Sequence, residues 1–180
     1  MKSLENIDPA VRHAASDDPS SEVWRLFAEH GQALYRFARS MLGNITDAED
    51  VVQDAFLKLL VHLQAGGDRS NLRGWLFAVT ANGCHDRGRW RMRWLPWRAD
   101  LDLRTVESGP EDDDGPDRRR ARRALAALAP RDRLLISLRA QGLSYREMAT
   151  AAGIAEPSVG RLLARAVERW RKSYELPDRR

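Results

Sequence analysis

Apolar residues recur at helical spacing through most of the chain. Val23, Trp24, Phe27, Leu34, Phe37, Ala38, Met41 and Leu42 predict a first helix from about Ser21, broken or bent at Gly31 and ended by Gly43-Asn44. A second helix follows, to about Leu63. Its core stripe is Val51, Val52, Ala55, Phe56, Leu59 and Leu60, and Asp50, Gln53, Asp54 and Lys58 face away from it. Thr46 with Glu49 three residues on predicts a capping box, and Asp47, Glu49 and Asp50 crowd carboxylates into the first turn. The glycine-containing loop from Gln64 to Asn71 leads into a third helix, from about Leu72 to Met92, and Pro96 ends anything helical.

The second half is also helical. Leu125 and Leu128 close one helix before Pro130. Leu134, Leu135, Ile136 and Leu138 make the next, which ends at Gly142. Leu143 to Lys172 then reads as a helix-turn-helix. Ser144 and Glu147 predict a capping box, and Ala149 is small enough for the inside of the helix pair. Gly153 allows the positive φ of the turn, Ile154 plugs the space beneath, and Pro157 fits the first turn of the second helix. Val159, Leu162, Leu163 and Ala166 face inward, while Ser158, Arg161, Arg165 and Arg169 face outward. No run alternates as a strand would, so the chain is expected to be all-α.

Charge divides the 180 residues further. The net formal charge of +4 is made of −4 over residues 1–60, +4 over 61–100, −6 over 101–117 and +10 over 118–180. Two basic blocks separated by an acidic one suggest two surfaces for a polyanion. The acidic Gly/Pro-rich stretch ESGPEDDDGPD lacks the apolar content to order itself. The expected organisation is a disordered extension over 1–20, a helical domain over 21–95, a flexible linker over 96–119 and a second helical domain over 120–175. A single cysteine, Cys84, excludes an internal disulfide and reads as a small buried side chain. The four histidines show no ligand spacing, so no metal or cofactor is expected. No signal peptide or membrane-length apolar run is present, which predicts a cytoplasmic protein without membrane insertion.

The third helix carries chemistry of its own. His85 to Arg98 holds five arginines and three tryptophans in fourteen residues. Arginines neutralise phosphates and exposed aromatics stack on unpaired bases, so the interleaving suits single-stranded nucleic acid. Trp75 and Phe77 are expected in the core. The second helix of the helix-turn-helix suits the DNA major groove, where Arg bonds guanine in bidentate fashion.

In order and spacing, these motifs resemble the sigma-70 family of bacterial RNA polymerase factors, in its short extracytoplasmic-function (ECF) branch. DAEDVVQDAFLKLL is similar to the helix that grips core polymerase. NLRGWLFAVTANGCHDRGRWRMR resembles the regions that melt and hold the −10 element, and LAALAPRDRLLISLRAQGLSYREMA the start of region 4. The resemblance covers about residues 22–93 and 120–173. It implies polymerase-binding residues Asp47, Asp50, Gln53, Asp54 and Phe56. It implies −10 contacts from Arg69, Ser70, Asn71, Arg73, Asn82, Asp86, Arg87, Arg89, Trp90 and Arg91. For the −35 element it implies Arg146, Glu156, Ser158, Arg161, Arg165, Arg169 and Lys172. The partners it implies are core polymerase (β′ clamp and β flap), promoter DNA that is duplex at −35 and single-stranded at −10, and an anti-sigma protein. The free chain is expected to be a monomer. Departures from the family pattern are Ala78 and Ala81 in place of arginines, Ala155 in place of a Ser or Thr cap, Gly160 in place of Lys or Arg, and Leu162 in place of Arg.

The competing reading is a helix-turn-helix regulator that binds duplex DNA without joining polymerase. It leaves the clamp-like helix and the Trp/Arg helix unexplained. No nucleophilic triad or glycine-rich phosphate loop is visible, so no catalytic residues are expected and the chain is not read as an enzyme.

Overall fold

The computed structural model describes residues 18–94 and 115–175, with side chains described at 18–87 and 115–175. Every element among them is helical: α1 (Pro19–Leu42), α2 (Ile45–Gln64), α3 (Leu72–Trp94), α4 (Pro116–Ala126), α5 (Pro130–Ala140), α6 (Tyr145–Ala152) and α7 (Glu156–Glu175). The expected disorder of residues 1–17 and the expected flexibility of 95–114 lie outside the described residues. The helices begin earlier than the sequence pattern suggests: Pro19 and Ser20 are already in α1, and α4 starts at Pro116, inside the stretch expected to be linker.

Helices α1, α2 and α3 pack on one another through Leu34, Phe37, Ala55, Leu59, Leu76 and Phe77, all buried. The Phe37 and Phe77 rings meet edge to face at 5.4 Å. Gly31 does not break α1. It is buried in an unbroken helix, and a Cβ there would meet the Phe27 ring at an ordinary 3.5 Å. Gly43 ends α1 with φ 71°, a left-handed conformation that only glycine adopts without cost. The cap of α2 differs from expectation. Asn44, not Thr46, is the N-cap, and its side chain accepts from Asp47 N at 2.9 Å. The physical reason is the turn at Gly43, which delivers Asn44 in extended conformation (φ −121°), so the helix starts one residue later and Thr46 is already inside it.

In the second unit α6 and α7 form the helix-turn-helix, with α4 and α5 packed on α7. Ser144 and Glu147 make the expected reciprocal capping box, and Gly153 takes φ 62° between the two helices. Met148, Ala149, Val159, Leu163 and Ala166 are buried. The two helical units also touch each other. Helix α6 packs against α3, α1 touches α5, and buried residues from both units form one contiguous apolar cluster.

Candidate polymerase and nucleic-acid surfaces

The first surface lies on α1 and α2. Gln53, Asp54 and Lys58 are exposed on α2, as the periodicity predicts. Phe56 does not join them. It is only 7% exposed because its ring packs edge to face on Phe27, 5.1 Å between centroids. Phe56 instead helps line an open groove of about 870 Å³ between α1 and α2, together with Trp24, Phe27, Tyr35, Val52 and Leu57. Trp24 stands 71% exposed beside it, and Phe27 and Leu57 are also exposed. Trp24 and Phe27 share the helical spacing of the buried residues of α1, and periodicity alone does not distinguish a buried apolar face from one left open.

Asp47 and Asp50 are not free on this surface. Arg87 of α3 reaches across and donates to both carboxylates, at 3.0 Å to Asp47 Oδ1 and 3.1 Å to Asp50 Oδ2. Burial works against the charge of Arg87, but the bonds and charges of Asp50 and Asp47 outweigh it and hold the guanidinium above its ordinary pKa. A residue expected to touch DNA is therefore joined to two expected to touch polymerase.

The second surface is the 64–71 loop and α3. His62 Nε2 lies 3.0 Å from the carbonyl of Asp68, and its ring stacks on Trp75 at 4.7 Å. Trp75 is half-buried and Phe77 fully buried. Asp68 accepts from the backbone and hydroxyl of Ser70, which holds its carboxyl below the ordinary value. Arg69 pairs with Glu22 of α1 at 2.7 Å. Asn71 caps α3 by accepting from Gly74 N at 3.0 Å. Asn82 and Asp86 are both exposed and one turn apart, as the spacing predicts. Ala81 is buried, and a Cβ on Gly83 would press on Val51 at 3.0 Å, so this side of α3 is packed on α2. Cys84 is buried here as well; burial outweighs the nearby Arg87 and pushes its thiol up to about 12. Arg89 and Arg91 lie within α3, as does Trp90, but their side chains are outside the described residues.

The third surface is α7. Arg161 and Arg165 are exposed on its outer face, with Arg146 and Glu156 exposed nearby and Ser158 half-buried. Lys172 is exposed and pairs with Glu168 at 3.4 Å. Arg169 is exposed as expected, but it also has a partner on another helix. Its Nη1 donates to the buried carboxylate of Asp132 on α5 at 2.6 Å, so it ties α7 to α5. Gly160 faces Tyr145 of α6, and a Cβ there would lie 3.3 Å from the ring, so α6 and α7 approach closely at a position where the family has a long cation.

Comparison with known proteins agrees with this layout. Residues 26–94 match the model of sigma-70 region 2, and residues 118–169 match sigma-70 region 4. The ECF RNA polymerase sigma factor SigL of Mycobacterium tuberculosis is 34% identical over 154 residues, covering 83% of this chain and 87% of that protein. SigE of Mycolicibacterium smegmatis is 33% identical over 81% of this chain and 59% of its own length. Two solved structures have similar folds at 25% identity and 88% coverage of this chain. One is CnrH with the cytosolic domain of CnrY (TM-score 0.62, 92% of that chain), the other RpoE with the anti-sigma factor NepR of Bartonella quintana (TM-score 0.66, 99% of that chain). With both regions matched in order and relatives aligned over most of its length, the chain belongs to the sigma-70 family as a sigma factor of the ECF branch.

Proposed function

We propose that the chain divides promoter recognition among its three surfaces. The acidic face of α2, with Asp50, Gln53 and Asp54, and the aromatic groove beside it receive the β′ clamp of core polymerase. The 64–71 loop and α3 capture the −10 strand through Asn71, Arg73, Asn82 and the basic end of the helix. Arg161 and Arg165 of α7 read the −35 duplex, where guanidinium groups match guanine and phosphate. The unit that carries α7 also meets the β flap. Polymerase supplies the chemistry in the cytoplasm; this chain supplies placement and strand capture. An anti-sigma protein that covers the groove of α1 and α2 competes with the clamp; that a similar protein, RpoE, is solved in complex with the anti-sigma factor NepR supports a partner of this kind.

The observation that carries this reading is the pairing of surfaces on one chain. A capped helix-turn-helix presents outward arginines, and a separate helical unit exposes an acidic edge beside an unfilled aromatic groove. A duplex-binding regulator needs only the first. The test is run-off transcription with core polymerase from the same organism. Discrete products that need both components are expected, and Arg165→Ala should weaken them at the −35 element. Absence of transcript, together with tight binding of the isolated chain to duplex DNA, would overturn the reading.

A further inference from the structure

The loop between α2 and α3 is folded around one side chain. His62, half-buried in the last turn of α2, lays its imidazole on Trp75 in the first turn of α3, with 4.7 Å between centroids and 27° between planes. Gly67 lies against the same ring. A Cβ built there would run into Cε1, Nδ1 and Nε2 of the imidazole, so a side chain does not fit while the ring is in place. Gly67 has no left-handed φ, unlike Gly66 with φ 71°, so it is the ring that excludes a side chain here and not the backbone conformation. The imidazole also bonds the next residue. Its Nε2 is 3.0 Å from the carbonyl of Asp68, which can only accept, so this nitrogen carries the proton and donates. The backbone of His62 joins in, since its carbonyl accepts from Gly67 N at 2.8 Å. The far end of the loop is anchored separately: Asn71 Nδ2 donates to Thr150 Oγ1 at 3.0 Å, and Arg73 pairs with Glu147 at 3.3 Å.

Paired glycines give this loop wide backbone freedom, and a loop ordered only on binding loses that entropy at that moment. Ordering it beforehand removes the cost. We infer that His62 is a positioning residue for strand capture: by fastening the Gly67–Asp68 backbone to the start of α3, it sets the path of the loop and with it the preference for the unpaired base that the loop receives. The inference deepens the strand-capture reading above and rests on it.

The test uses holoenzyme made with the full chain, on a promoter found by the run-off assay, with each −10 and each −35 base replaced in turn. His62→Ala should reduce discrimination at the −10 element roughly threefold to tenfold, the worth of a lost hydrogen bond. Discrimination at the −35 element should stay as in the parent. Gly67→Ala should reduce the same −10 preference, because methyl and ring cannot share the space, and should add nothing further in His62→Ala, where the ring is gone. Circular dichroism checks that the helices of each variant remain. An equal drop on every template is what a merely structural residue would give, and it would overturn the positioning role. So would −10 discrimination unchanged in both variants, or the same effect of Gly67→Ala with and without the ring. If Asn82→Ala still weakens −10 discrimination in those cases, strand capture stands without His62. A parent holoenzyme indifferent to every −10 base would refute the strand-capture reading, and the positioning role with it.

Discussion

Arg169 allows the clearest separation of a structural from a DNA-reading arginine. The Asp132 side chain is 5% exposed and Arg169 is 54% exposed, and they meet at 2.6 Å. Arg169→Ala leaves a carboxylate buried without its cation. Such an orphan costs about 3–5 kcal/mol when both partners are buried. A fully exposed pair is worth about 0–1 kcal/mol. One buried and one half-exposed partner place the expected cost between these, at about 2 kcal/mol. With a urea dependence of about 2 kcal/mol per molar, that is a midpoint lowered by about 1 M. The assay is urea unfolding at pH 7 followed by circular dichroism, with Asp132→Asn/Arg169→Ala as the second arm. Removing the buried charge as well should return a good part of the loss. A midpoint for Arg169→Ala within 0.2 M of the parent, with duplex affinity weakened as much as by Arg165→Ala, would refute the reasoning and return Arg169 to the DNA surface.

Other outcomes follow from the same geometry. Gly31→Ala should stabilise the chain by roughly 0.5–1 kcal/mol, since α1 is unbroken there and Phe27 leaves room for a methyl; a lower urea midpoint would show that the site is overpacked. Cys84, with its thiol near 12, should resist a thiol-specific reagent at pH 8 and react only on unfolding, so fast labelling of the folded chain would contradict its burial. His30 has its pKa lowered by burial, against Glu29 and Glu147 and with Arg73 and Arg25. The unfolded chain then binds the proton more readily, so stability present above pH 6.5 falls as pH drops below it. Glu147 acts in the same direction at lower pH. Partial burial pushes its carboxyl up, but the Ser144 bonds and Arg73 outweigh this and hold it below 4.5, so its contribution is lost as pH falls through that depressed value. His30→Gln should therefore flatten the urea midpoint between pH 8 and 5.5, and an unchanged slope would exclude His30.

The turns and the helix-turn-helix were legible because their causes are local. Gly43, Gly142 and Gly153 stand where the backbone takes positive φ, and no other residue type does so cheaply. The Ser144/Glu147 box has both partners within four residues. The Thr46 cap failed for a local reason as well: Asn44 and Thr46 are both competent caps, and the preceding turn chooses between them. The ion pairs were not legible. Arg69 finds Glu22, Arg87 finds Asp47 and Asp50, Arg73 finds Glu147, and Arg169 finds Asp132. Each joins residues far apart in the chain, and a periodic pattern carries no record of which helix lies opposite. Arginines that looked alike in the sequence thus divide into some that hold helices together and others, Arg161 and Arg165, whose outer face is open.

The groove between α1 and α2 also governs how the chain behaves as a solute. Trp24, Phe27 and Leu57 offer a contiguous oily surface to water, which favours self-association as concentration rises. Glu49 and Asp54, exposed on α2, oppose that tendency through like-charge repulsion, and salt weakens such repulsion between molecules. Preparations of the chain alone should thus stay dispersed at low ionic strength and cloud as salt is added. A protein seated in the groove would remove the salt sensitivity, which makes turbidity a simple readout of whether the groove is filled.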